Sequence, residues 1–184
     1  MPDWLSSLLS SFWNTARRPM LFRSKEAMAA LFRWPSARGV LQIELSATRT
    51  PTRACVVILN EGGTLKSPAR LQIKSLTPLT NAEQATPYSG QFVGHYLMPT
   101  RQWNTDRILK SDEREEFLVC ERRGDGWLYF SADPSQYAGG WCRTPEADYS
   151  IELVTISEGA KGNSLPAIIR MVGEANVEIS PKTK

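Results

Sequence analysis

Residues 39–46 read GVLQIELS, and their alternation decides the fold class. Leu41, Ile43 and Leu45 are apolar while Gln42, Glu44 and Ser46 are polar, so the segment is expected to be a strand with one wet face. Downstream, residues 55–59 (CVVIL) are continuously apolar and β-branched, the pattern of a central strand buried on both faces. Leu71 and Ile73 alternate with Arg70, Gln72 and Lys74 in a third strand. Further strands are predicted at residues 91–98, 116–122, 126–131, 149–156, 167–172 and 175–179, which makes about nine.

The punctuation between these runs agrees with that division. Glu61-Gly62-Gly63 closes the second strand, Arg123-Gly124-Asp125-Gly126 is a tight hairpin signal, and residues 157–166 read as a Gly/Asn/Ser loop. Gly173 marks a bulge or bend, and residues 111–116 are read as an added helical turn. Many short strands without interleaved helices mean a mainly β, antiparallel fold. The expectation is a β-sandwich, immunoglobulin-like or jelly-roll-like, with a closed β-barrel as the alternative; long connections at 77–88 and 99–114 favour the sandwich. The β-sandwich domain is placed at 37–181, followed by a polar tail at 182–184.

Before the β region the period is helical. In residues 3–18, DWLSSLLSSFWNTARR, a rotation of about 100° per residue puts Trp4, Leu5, Leu8, Leu9, Phe12, Trp13 and Ala16 on one half, and serines, Asn14, Arg17 and Arg18 on the other. Asp3 is the expected N-cap and Pro19 the stop. A second short α-helix is expected from Ser24 to Arg33, ended by Pro35 and packed on the β body. Residues 1–36 thus form an amphipathic helical arm. An isolated helix of this length is marginal in water, so the arm needs a surface to fold against.

The chain has 184 residues and a formal charge of +3, but residues 1–38 carry +4 and the remainder −1. A basic arm is suited to an anionic membrane surface or an acidic partner, or simply solubilises a hydrophobic helix. Cys55, Cys120 and Cys142 are far apart and odd in number, against a disulfide scaffold and in keeping with a reducing compartment. The expected location is cytoplasmic, with association to a membrane through the arm. Asp3 and the interspersed serines do not fit a secretory signal, and the double-tryptophan face is atypical of an organelle presequence.

No motif names a reaction. His95 is the sole histidine, on a predicted strand, with Cys120 or Cys142 as the nucleophiles it could serve; a structural role is expected for all three. The spacing supports no metal site and no cofactor, and 159–164 only looks like a phosphate loop. Asp112, Glu113, Glu115 and Glu116 beside Arg114 are read as a solvated charged turn rather than a catalytic pair, so no catalytic residue is assigned. A second constellation is aromatic and basic. Arg101, Trp103 and Arg107 fall in one long loop, while Tyr137, Trp141 and Arg143 flank the Gly139-Gly140 turn of another. Such loops stack a small anionic or nucleotide-like ligand, or else plug the ends of the core.

The expectation is therefore a non-enzymatic interaction protein whose arm residues Trp4, Leu5, Leu8, Leu9, Phe12, Trp13, Arg17 and Arg18 dock on a protein partner, a membrane surface or a second copy. The alternatives are a β-domain sensor for a small-molecule ligand, or a jelly-roll coat protein with a basic arm. The arm lacks consecutive basic residues and is rich in tryptophan, which disfavours nucleic acid as a partner.

Overall fold

The computed structural model describes residues 39–47, 50–79, 90–100, 107–136 and 140–183. The two expected N-terminal helices, with every docking residue assigned to the arm, lie outside the described residues, as do Arg101, Trp103 and Tyr137.

The described part is mainly β. Its strands are β1 (Gly39–Leu45), β2 (Arg53–Asn60), β3 (Arg70–Pro78), β4 (Tyr96–Leu97), β5 (Arg114–Arg122), β6 (Trp127–Ser131), β7 (Trp141–Pro145), β8 (Tyr149–Ile156), β9 (Ala160–Lys161), β10 (Ser164–Val172) and β11 (Asn176–Pro181). They make two curled sheets. One has the order β7-β6-β5-β2-β1-β9 and the other β11-β10-β8-β3-β4.

β1 follows its alternation: Leu41 and Ile43 are buried and Glu44 is exposed. It pairs antiparallel with β2, Leu41 opposite Asn60 and Leu45 opposite Val56. Burial on both faces of residues 55–59 is corrected. Ala54, Val56, Ile58 and Asn60 are buried, whereas Cys55, Val57 and Leu59 are half-buried, so the strand alternates instead of burying both faces. The all-antiparallel expectation also needs correction, since β9 runs parallel to β1, Gly39 opposite Ala160. The connection leaving β8 lends these two residues to the other sheet before β10 begins.

Residues 91–98 are not one strand. Gly90–Phe92 is a 3-10 turn, Gly94 takes φ +90°, and only Tyr96–Leu97 is extended, so His95 precedes a strand instead of lying on one. The left-handed glycine turns the chain, which lets Phe92 drop into the core 5.2 Å from the Phe130 ring centroid. The helical turn expected at 111–116 is a tight turn with Asp112 at φ +63°, after which β5 starts at Arg114.

A single apolar cluster draws on both sheets. Val56, Ile58, Phe117, Leu128 and Phe130 come from one, Leu71, Ile73, Ile151, Leu153 and Ile169 from the other, with Leu65, Phe92 and Leu109 from the connections. Besides the β1–β9 pairing, other contacts tie the sheets together. Tyr96–Leu97 pairs with β3, and the same segment then passes to β5, where Leu118 N–H donates to the Met98 carbonyl (3.1 Å) and Thr100 N–H to that of Glu116 (2.8 Å). At the far end of β5, Arg122 pairs with Glu146 at 2.6 Å and donates to the carbonyls of Gly173 (2.8 Å) and Asn176 (3.2 Å). β5 is thereby clamped to the turn between β10 and β11.

Candidate functional site

β5, β6 and β7 form an up-and-down ribbon in which Glu121 lies opposite Tyr129 and Tyr129 opposite Arg143. The period of two sends Leu128, Phe130, Cys142 and Thr144 inward, all buried, and turns Trp127, Tyr129, Trp141 and Arg143 to the outer face. The hairpin that sets this register needs Gly124 and Gly126 at φ +76° and +82°. Asp125 holds it: the carboxylate accepts from Trp127 N–H (3.1 Å) and from the Tyr129 hydroxyl (2.5 Å). The tyrosine's hydrogen bond keeps the Asp125 pKa below its ordinary value.

On the outer face the rings are covered by guanidinium groups. Arg123 lies 4.2 Å from the Tyr129 centroid and 4.6 Å from that of Trp141, and Arg143 lies 4.6 Å over Trp127. Tyr129 and Trp141 meet edge to face at 6.5 Å. Glu121 neutralises part of this charge through Arg53 (3.5 Å) and Arg123 (3.7 Å). Arg143 is exposed and has no carboxylate within ion-pair distance among the described residues.

Among the described residues β7 is the last strand of its sheet, and no described strand pairs with its outer edge. Ala132 N–H donates to the Gly140 carbonyl (2.9 Å) and Glu146 N–H to that of Gly126 (3.1 Å), which fixes the phase of the ladder. In an antiparallel pair the bonded positions recur every second residue. Cys142 and Thr144 therefore turn their backbone groups toward β6, and Trp141 and Arg143 turn theirs to the open edge. Pro145 has no N–H to offer there.

The structure also brings His95 to Cys142, with Nδ1 3.9 Å from Sγ. Burial pushes the Cys142 thiol up to about 11, so it is protonated at neutral pH. Cys55 is likewise raised to about 11, by burial first and the Glu116 charge second, and buried Cys120 is raised further.

Within the charged turn, Glu113 and Glu116 are tied to partners of their own. Glu113 accepts from Lys110 N–H (3.0 Å) and Arg107 (3.2 Å), and its pKa falls through the backbone hydrogen bond. Glu116 accepts from Ser46 Oγ (2.5 Å) and Thr100 Oγ1 (3.0 Å), while burial raises the pKa of half-buried Glu115. The segment 159–164 is no phosphate loop, because Ala160–Lys161 pairs with β1 and Asn163 N–H donates to Thr155 Oγ1 (2.8 Å).

Of the loop constellation, Trp141 and Arg143 do share one face, but in strand β7 and not in a loop, which corrects the sequence reading. Arg107 is not with them. It pairs with Glu113, eight residues or about 26 Å along the chain from the Glu121 level where Arg143 sits. Arg123, Trp127 and Tyr129 were missed, although Trp127 and Tyr129 alternate directly after the hairpin signal. Comparison with protein-family models finds no match, and neither curated proteins nor solved structures match the chain.

Proposed function

We propose that this chain is an interaction protein with two attachment elements, the outer face of β6–β7 and the N-terminal amphipathic helix. The observation that carries the reading is the set of guanidinium–aromatic stacks on the solvent side of an edge ribbon. Trp, Tyr and Arg dominate the energetics of protein interfaces, and side chains already held by stacking lose little freedom when a partner arrives. The protonated Cys142 thiol beside His95 supports a structural role for that pair. A cytoplasmic setting, at a membrane surface where the arm meets lipid, goes with this reading. For the body, a sandwich built from the consecutive ribbons β5–β6–β7 and β8–β10–β11 is favoured over immunoglobulin-like or jelly-roll connectivity.

The arm is tested in the full chain by sedimentation and by flotation with neutral and anionic vesicles. Leu8→Asp with Phe12→Asp puts charge in the middle of the apolar half and abolishes association. Arg17→Gln with Arg18→Gln weakens it by about 1 kcal/mol per charge at an anionic surface. An Asp pair that lowers the melting temperature and leaves association untouched assigns the helix to its own β body and overturns the arm as an attachment element.

A further inference from the structure

We infer that the open edge of β7 receives an extended acidic peptide of a partner protein, which adds a seventh strand to the six-stranded sheet. The inference rests on the interaction reading and names the partner's chemistry. The ladder phase leaves the N–H and C=O of Trp141 and Arg143 directed at the edge. These same two residues place a ring, and a guanidinium with no carboxylate at ion-pair distance among the described residues, on the outer face beside that edge, with Arg123 stacked on Trp141. A strand added there makes main-chain bonds to Trp141 and Arg143, and every second side chain of it lands next to Arg143 and Arg123. Charge complementarity requires Asp or Glu at those positions. The intervening side chains fall on the side of Cys142 and Thr144, both buried, which suits small apolar residues.

The other occupants fit less well. Antiparallel pairing of β7 with a second copy of itself sets two Arg143 side chains close together, a like-charge contact. Single-stranded nucleic acid needs open ring faces for base stacking, and here Arg123 covers Tyr129 and Trp141 while Arg143 covers Trp127. The short strand, its closing proline and its cation also discourage indiscriminate edge pairing, so the edge selects by charge.

The test uses the full chain and a fluorescein-labelled ten-residue peptide alternating Glu and Val, followed by anisotropy. Expected are saturable binding, slowed amide exchange at Trp141 and Arg143, and no binding of a peptide N-methylated at alternate backbone positions on the pairing side. Arg143→Glu, an exposed site checked for folding by circular dichroism, weakens the Glu/Val peptide at least about tenfold and makes a Lys/Val peptide the better ligand. The inference is overturned by no binding, by indifference to N-methylation, or by equal affinity for the Lys/Val peptide in the unaltered chain. Protection of the same amides by self-association, or displacement of the peptide by oligo-dT, overturns the occupant in favour of a second copy or a nucleic acid. If the peptide fails while the arm still mediates association, the edge inference falls alone and the interaction reading stands.

Discussion

Arg122 ends β5 with a side chain only 10% exposed and a 2.6 Å bond to Glu146, whereas its neighbour Arg123 is 40% exposed and lies over Tyr129 and Trp141. The two share a chemistry and one peptide bond, and the strand's alternation sends them apart. Arg122 is desolvated, so it needs its carboxylate and the carbonyls of Gly173 and Asn176, and the Glu146 hydrogen bond raises its pKa further. Even so, Arg122 Nε and Glu146 Oε1 are buried without a hydrogen-bond partner among the described residues. Arg123 keeps its contact with water and stacks at little cost. One region holds the fold together; the other presents a surface.

The largest expected effect comes from separating the Arg122–Glu146 pair, whose side chains are only 10% and 17% exposed. Arg122→Met strands the Glu146 carboxylate and costs about 3 to 5 kcal/mol in urea unfolding, most of it recovered when Glu146→Leu is added. A loss below about 1 kcal/mol would remove the contrast, since that is the scale of an exposed ion pair. Next comes Arg123→Ala, expected to cost about 0.5 to 1 kcal/mol and to change tryptophan emission as Trp141 loses its cover. Should it match Arg122→Met, the outer face is a second clamp rather than a presented surface.

The smallest effect belongs to the hairpin between the two regions. Because the Tyr129 hydrogen bond depresses the Asp125 pKa, the contribution of Asp125 is present above the unfolded value of about 3.9 and is lost as pH falls through the folded one. An NMR titration of the Trp127 amide should show its midpoint below about 3.9, and Asp125→Asn should abolish that titration. A midpoint at or above the ordinary value would remove the carboxylate as the organiser of this turn.

Legibility of the ribbon was uneven for reasons that can be located. β6 was readable from Trp127, Tyr129 and Ser131 after the Gly-Asp-Gly turn, whereas Trp141–Pro145 carries one strong apolar residue, follows two glycines and ends in proline, so it resembles a loop. What makes it a strand is the ladder offered by β6, a contact that local propensity does not contain. Without β7, Trp141 and Arg143 could be named as a pair but not placed beside Arg123, Trp127 and Tyr129. The same limit applied to residues 91–98, where Gly94 breaks the alternation, and to residues 160–161, whose two-residue pairing with β1 has no sequence signature at all.

What the chain's own order of residues determined is the class of structure: period-two runs such as 41–46 and 149–156 can bury their apolar side only as strands, and Gly124-Asp125-Gly126 can only turn. What tertiary structure alone decided is which strands meet and which faces stay wet. Arg107 and Arg143 are indistinguishable as residues. Yet pairing with Glu113 takes one out of the site, and the register of β7 against β6 puts the other on an open edge, because long-range contacts set register and burial where local sequence sets only period.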